Sequence, residues 1–466
     1  MSRRGWVLTL SSYWLHADQV VYEDGESLCV GPANVCVQGA FVSQVVPGEA
    51  VAGAQVLGRR ILAPAFVNGH THLSMCALRG LVGQSQMSGN VVEEVYFGLE
   101  TSLTRDDVRA FARVGAWECL LSGTGAVFDH YYYADAVAEA LVDVGLCGVV
   151  APTFQDLSGP GSAAGEKAIE TTLAIADNGG LREAGVFAAF GPHATDTVSR
   201  AAWERLAELG SRHSLPIHAH LSQSFEELER LVASADGDPV GRLTPVLEAG
   251  VPLLGVHGIY LSDPELDRLA ASDVVLGYCP AAQHQFAFPA RVEGWRKRGI
   301  GLALGTDAGV CNDRMDVQAE VRMVATAATP RVTHGPEHAA WRSGRSLEDA
   351  RQAEGRRATL LTSEEALASV WSTPGGWARG LGVGKIAPGA RANMIVVDPS
   401  HPALWPGTDT LRAMAYGNVS AALEATMING QLRRLDELRR SDMLTAHLVE
   451  ANRRREMWLK RAGVSG

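Results

Sequence analysis

Four short apolar runs, each closed by histidine or aspartate, constrain this chain more than any other feature. They are residues 61–67 leading into Asn68-Gly69-His70-Thr71-His72, then 216–220 ending in His220, 253–257 ending in His257, and 301–307 ending in Asp307. Similar apolar runs occur at 126–129, 148–151, 186–190 and 274–279. Helical patterns lie at 225–233 and 264–271, and another follows at 363–369. Strand-length runs that alternate with helical stretches predict parallel strands joined by crossover helices. Barrels of that kind carry their active sites at the C-terminal ends of the strands, where the reactive residues fall here. The expected fold is therefore α/β, a TIM-like (β/α)8 barrel.

The two ends of the chain read differently. Between about 6 and 62, the stretches 28–30, 35–37 and 41–46 are separated by Gly, Pro and Asn, and the same texture returns at 392–397 and 422–428, closed by Asn429-Gly430. This predicts a small β-sandwich domain built from both termini. The expected organisation is 1–62 and 376–435 for the two halves of that domain, 63–375 for the catalytic barrel, and 436–466 for a helical tail rich in Arg, Leu and Glu.

The 466 residues, 46% of them hydrophobic, can bury a large core with a companion domain. A net charge of −11 disfavours a nucleic-acid partner, which needs a basic surface to displace counterions. No apolar run approaches the ~18 residues of a membrane span, and the start is too polar for a signal peptide. Seven cysteines without C-x-x-C spacing suit reduced thiols in a cytoplasmic protein.

In a strand, residues i and i+2 point to the same side, so His70 and His72 can face one ion. With His220, His257 and Asp307 at other strand ends, imidazoles and a carboxylate converge on a barrel mouth. That donor set suits one divalent cation, zinc, cobalt, iron or manganese, and the sequence does not choose among them.

These motifs resemble the amidohydrolase superfamily, specifically its mononuclear branch of cytosine and guanine deaminases and triazine hydrolases. Supporting matches are Gly123-Thr124-Gly125 before Asp129-His130, then Gly191-Pro192-His193, and the stretch from Gly384 to Asn393. The resemblance implies His70, His72, His220 and Asp307 as metal ligands, with His257 a fourth imidazole touching the ion or its water. It implies that Asp307 accepts the proton of the attacking water, that His257 polarises substrate or shuttles that proton, and that His193 touches substrate. The strands where a bridging lysine is expected finish in Asp129, Ala151 and Phe190, which favours one metal over two.

One position departs from the pattern. Deaminases of this branch carry Glu three residues after the third ligand; here it is Gln223. An amide holds a carbonyl or a water by hydrogen bonds but is no general acid. Glu226 and Glu227, about a helical turn further on, are expected to point away from the mouth. The departure favours hydrolysis of a urea, carbamate, thiocarbamate or amide, and resembles the phenylurea hydrolases and the molinate hydrolase. The alternatives are an aminohydrolase or chlorohydrolase of an N-heterocycle and, last, a non-catalytic scaffold.

Residues 73–98, with Met75, Met87, Tyr96 and Phe97, read as an apolar wall for a small, aryl or cyclic substrate, with Tyr96 and Phe97 as contacts. Tyr131-Tyr132-Tyr133, Trp295 and Gln283-His284-Gln285 are further candidates for the cavity border. A homo-oligomer (dimer, tetramer or hexamer) is expected from the resemblance.

Overall fold

A computed structural model describes residues 12–25, 27–83, 90–285, 290–324, 339–340, 343–344, 347–355 and 361–464. The N-terminal strands β1 (Ser12–Asp24), β2 (Ser27–Gln38) and β3 (Phe41–Pro47) form an antiparallel meander, and the short β4 (Gln55–Val56) and β5 (Ile61–Pro64) pair in parallel with β1. Residues 28–30 and 35–37, expected as separate strands, lie on one long β2: Gly31 still pairs with Val20, and the irregularity at Pro32 shifts the register against β1 without ending the strand.

The central strands follow in the expected order. They are β6 (Phe66–His72), β7 (Thr124–Tyr131), β8 (Cys147–Phe154), β9 (Val186–Ala188), β10 (Gly191–Pro192), β11 (Ile217–Leu221), β12 (Leu253–His257), β13 (Val274–Tyr278), β14 (Gly301–Leu304) and β15 (Asp307–Ala308). They make two parallel sheets, β10-β8-β7-β6-β15 with β9 on β8, and β11-β12-β13-β14. The sheets meet at both edges. Phe190 bridges Ile217 on one side, and on the other Gly305 N donates to Tyr278 O at 3.0 Å while Thr306 N donates to His70 O at 3.0 Å. This arrangement is consistent with a TIM-like barrel. Strands β6, β7, β8, β11 and β12 are buried along their whole length, which is why their sequences read as continuous apolar runs without alternation.

The run 301–307, expected as one strand, is broken. The backbone leaves β14 at Gly305 to lie against β6, where a Cβ on Gly305 would stand 2.5 Å from His70 O. Only glycine permits that approach, and it sets Asp307 opposite Thr71. Helices Phe225–Val232, Asp263–Ala270 and Ser363–Ala368 fall within a residue of the expected positions.

From the far end of the chain, β16 (Met394–Val397) pairs antiparallel with β5 and with β17 (Leu423–Ile428), and β17 turns at Asn429-Gly430 into β18 (Gln431–Arg434). Both ends thus contribute to one sheet, ordered β18-β17-β16-β5-β1-β2-β3. Rather than two separate layers, this sheet curls over itself. Edge strand β3 reaches the segment before β16, with Val42 N donating to Ala390 O and Gly389 N to Val42 O, both at 2.8 Å. It encloses its own small core, which includes Leu15, Val35, Val37, Leu62, Met394 and Met427.

The tail is two helices, Leu435–Arg439 and Asp442–Arg461, because Ser441 caps the second with its side chain. The second helix docks on the barrel. Trp117 Nε1 donates to His447 Nδ1 at 3.0 Å, Trp458 Nε1 to Ser102 Oγ at 2.9 Å, and Arg455 Nε to Ala77 O at 2.7 Å. All seven cysteines are free thiols. Among the described residues no helix is long and apolar enough to cross a membrane.

Candidate active site

Seven histidines gather where β6, β7, β10, β11 and β12 end: His70, His72, His130, His193, His218, His220 and His257. Neighbouring ring centroids lie 4.7 to 6.2 Å apart. The hydrogen bonds of two of them fix where their lone pairs point. His72 Nδ1 faces the carbonyl of His130, and His220 Nδ1 faces that of His193 at 2.7 Å. A carbonyl only accepts, so both Nδ1 atoms carry the proton and both Nε2 atoms are left as acceptors. Those two Nε2 atoms nevertheless lie 3.3 Å apart. Two acceptors so placed cannot bond to each other; they address a shared electrophile.

His70 completes the set. Its Nδ1 lies 2.8 Å from His218 Nε2, and its Nε2 is buried without a hydrogen-bond partner. The donor atoms of His70, His72 and His220 all lie within 4.8 Å of one another. Asp307 Oδ1 sits 3.4 Å from His72 Nε2 and 3.6 Å from His70 Nε2, close enough to share a cation. His257 stands further out, its ring stacked 5.5 Å from that of His220 and 5.8 Å from that of His70. These residues fit a single divalent ion, in donor chemistry and in the orphaned Nε2.

The motif around His70 is built to hold that geometry. Asn68 Nδ2 donates to Thr306 Oγ1 at 2.7 Å, Thr306 N returns to Asn68 Oδ1 at 3.1 Å, and Thr71 Oγ1 donates to Asp307 O at 3.1 Å. Asp307 and His257 are held at φ of 57° and 84°, a left-handed conformation that costs a non-glycine residue about 1–3 kcal/mol and clusters at functional sites.

Burial keeps the imidazoles neutral. It pushes His70 and His193 down to about 3, and it lowers His72, His130, His218, His220 and His257 as well. For Asp307 burial works the other way, but His70, His257 and His72 around it prevail and hold the carboxyl below its ordinary range. A cluster of neutral imidazoles beside one carboxylate is the protonation state that binds a cation.

The cavity above these residues is small, about 50 Å³, and is walled by Met75, Val92, Tyr96, Phe97, Ala308 and Cys311. Gln223 and His193 also line it, the latter with Nδ1 3.0 Å from Thr197 Oγ1. Tyr131 and Tyr132 face it, whereas Tyr133 is exposed. Trp295 does not border it: the ring is fully buried in the core against Tyr278. Met87 and the side chains of His284 and Gln285 lie outside the described residues.

One expectation is refined. Glu227 stays out of the cavity as expected, but it is not solvated: it is buried and accepts from Ser222 N at 2.8 Å, Gln223 N at 2.7 Å and the Thr195 hydroxyl. The helix starts at Phe225 with Ser224 as its cap, so Glu227 occupies the third position and folds back over the loop. Burial, then Asp196, push its carboxyl up to about 7. It braces Gln223 from behind and does not line the cavity.

Three residues of the site escaped the sequence reading. His218 obeys the same i, i+2 rule with His220 that singled out His70 and His72, and could have been found by it. His130 sat in a noted motif without a role. Glu100, on the cavity wall, carried no signal.

Comparison with known proteins agrees with this geometry. The profile of the amidohydrolase family matches residues 61–433, and the chain belongs to that family. It is a hydrolase acting on carbon–nitrogen bonds. A 5-methylthioadenosine/S-adenosylhomocysteine deaminase of Pelotomaculum thermopropionicum is 28% identical over 420 residues, 88% of this chain and 89% of that protein. Among solved structures, an adenosine deaminase from Xanthomonas campestris with bound zinc matches with a TM-score of 0.80 at 22% identity, covering 96% of this chain and 98% of that one. An atrazine chlorohydrolase from Arthrobacter aurescens TC1, complexed with zinc, matches with a TM-score of 0.79 at 17% identity, covering 95% and 100%. The two structural likenesses speak for the fold.

Proposed function

We propose that this protein is a metal-dependent aminohydrolase that removes an exocyclic amino group from a small N-heterocycle of the purine type. The observation that carries the reading is the convergence of three imidazole Nε2 atoms, those of His72 and His220 fixed as acceptors, beside Asp307. The deaminase relative of similar length supports the heterocycle over the urea and thiocarbamate substrates that Gln223 favours.

In this reading His70, His72, His220 and Asp307 hold one divalent cation, zinc first, with His257 beside it. A bound ion of this kind lowers the pKa of water toward neutrality and polarises the carbon under attack. The carbonyls of His130 and His193 fix the tautomers of His72 and His220 so that their Nε2 atoms stay acceptors, and His218 orients the His70 ring, whose Nε2 is free to bind the ion when Nδ1 carries the proton. Asp307 is the carboxylate in reach of the attacking water and takes its proton on Oδ1. His257, neutral and close by, orients the water and hands the proton on toward the departing amine. His193 and Gln223 hold the ring by hydrogen bonds, and Tyr96 and Phe97 close over it and exclude bulk water. Oxygen from water replaces nitrogen on the ring carbon; one of the water's protons leaves on ammonia, and the other stays on the oxygen or a ring nitrogen of the product.

Gln223 sustains a second reading. With an amide where relatives of this branch carry a carboxyl, hydrolysis of a urea or thiocarbamate needs no acid at that position. Metal analysis of the purified protein, with a screen of aminopurines, adenosine-type nucleosides, cytosine, triazines, aryl ureas and thiocarbamates, separates the two. Ammonia release from a heterocycle is expected; amine or thiol release from ureas or thiocarbamates alone would reject the aminohydrolase.

A further inference from the structure

The left-handed conformation of Asp307, φ 57°, persists only where its surroundings over-determine it, and the residue before it shows how they do. Thr306 N faces His70 O at 3.0 Å and Asn68 Oδ1 at 3.1 Å, and the Thr306 hydroxyl accepts from Asn68 Nδ2 at 2.7 Å. The carbonyl is left to Asn312, the last residue of the helix Gly309–Asn312, whose Nδ2 donates to Thr306 O at 2.7 Å. The same Nδ2 donates its other hydrogen to Glu320 Oε1 at 3.0 Å.

Glu320 lies in the helical residues 317–324, is 2% exposed and does not line the cavity. Among the described residues no cation acts on it. Its second oxygen, Oε2, accepts from Ala281 N at 2.8 Å, in the loop that follows β13, so one carboxyl ties the segments after β13 and β15. Two residues back, Gln318 Nε2 reaches the carbonyls of Met414, Ala415 and Gly417 at 2.9 to 3.2 Å, where the helix Thr410–Tyr416 ends. The segment that carries Glu320 is thereby anchored in turn.

Burying a carboxyl without a cation is costly, and an apolar side chain would fill the same space more stably. What the carboxyl adds is two acceptors in fixed places. An amide can turn about its last bond and exchange oxygen for nitrogen. So turned, Asn312 would set Oδ1 against Thr306 O and Glu320 Oε1 together, acceptor against acceptor. With Nδ2 facing them, both its hydrogens are used.

We infer that Glu320 is a positioning residue for the metal site: it orients the Asn312 amide, which pins Thr306 O and keeps Asp307 turned with Oδ1 beside the Nε2 atoms of His70 and His72. This rests on the reading above of Asp307 as a metal ligand. Glu320 itself touches neither the ion nor the substrate; it acts through Asn312 and the backbone.

Glu320→Gln keeps the shape but offers one acceptor for two donors, so either Ala281 N or Asn312 Nδ2 then meets an N–H group. The test compares wild type, Glu320→Gln, Asn312→Ala and the double variant, each loaded with zinc or with cobalt(II), and circular dichroism confirms the fold. In competition with a chelator, each single variant is expected to bind zinc about tenfold more weakly. The visible absorption of cobalt(II), which follows the placing of its ligands, should shift in both. On the substrate found by the screen, kcat should fall about tenfold with KM within about twofold of wild type. Because Glu320 acts through Asn312, the double variant should lose no more affinity than the more impaired single variant, rather than about a hundredfold.

A folded Glu320→Gln with wild-type zinc affinity and an unshifted cobalt spectrum would overturn the assignment, even if its thermal stability had fallen. Single losses that multiply in the double variant would overturn it too. If Glu320→Gln does not fold, Asn312→Ala decides: a tenfold loss of affinity sustains the link to Asp307, and an unchanged affinity removes it. Wild type that takes up neither zinc nor cobalt would instead sink the metal site itself, a failure visible before any variant is made.

Discussion

On one side of the cavity, seven histidines stand on buried strands or just after them, six of them pinned by a carbonyl, a hydroxyl or another imidazole. On the other, the segment 90–104 brings Val92, Tyr96, Phe97 and Glu100 to the wall from outside the strands. Side chains fasten it: Arg230 bridges Glu93, at 2.6 and 2.9 Å, to Asp196 at 2.8 Å, and Trp458 of the second tail helix donates to Ser102 Oγ at 2.9 Å. The first side is laid down by the sheet and cannot shift without breaking it. The second can be altered without touching the sheet. On the proposed function, the contrast would place the bond-breaking chemistry on the strands and the choice of substrate on the attached wall.

The sharpest way to break that division is at the strand ends. His72→Ala or Asp307→Ala should reduce bound metal from about one per chain to near zero and turnover by about 10⁴-fold, checked by elemental analysis and initial rates with circular dichroism to exclude unfolding. Stoichiometric metal in a folded variant would undo the ligand assignment. Next in size is His218→Ala, which leaves every proposed ligand in place but frees His70 Nδ1. Metal affinity should fall by about 10–100-fold, read by competition with a chelator. An unchanged affinity would mean that His218 only fills the core.

Gln223→Glu restores a titratable group on the cavity side of the Glu227 brace. An increase of about tenfold or more in kcat/KM for ammonia release, with a new acid limb in the pH profile, is expected if a heterocyclic amine is the substrate. A loss of activity would favour the urea and thiocarbamate alternative. The smallest effect is expected at the wall. The Arg230 and Glu93 pair is partly exposed and worth about 0–1 kcal/mol, so Arg230→Gln should change KM only about two- to threefold and remove its salt dependence, leaving kcat and metal content alone. A large fall in kcat would mean that the wall also serves the chemistry.

The difference between the sides also explains what could be read in advance. Strands β6, β11 and β12 announced themselves because a fully buried parallel strand is a compact apolar run, and its terminal histidine or aspartate is conspicuous after it. The broken strand at Gly305 was hidden, since only the close approach of His70 O reveals why a glycine stands there. The burial of Glu227 was missed because its direction depends on which residue caps the helix, a matter of one position. Tyr96 and Phe97 could be guessed from their place after the His70 motif. Glu100 could not, since a solitary glutamate in an amphipathic stretch looks like any solvated one until tyrosines from another part of the chain enclose it.

Arg455 and Ala77, joined by one hydrogen bond, are 378 positions apart in the chain. On a ribosome adding roughly 5–20 residues per second, the turn that follows His72 waits on the order of 20–80 s for the arginine that ties it down. The cation-binding strands can assemble within that interval while the roof over them is still missing. A nascent chain is thus able to meet its metal before the later helix ties down the turn that follows His72.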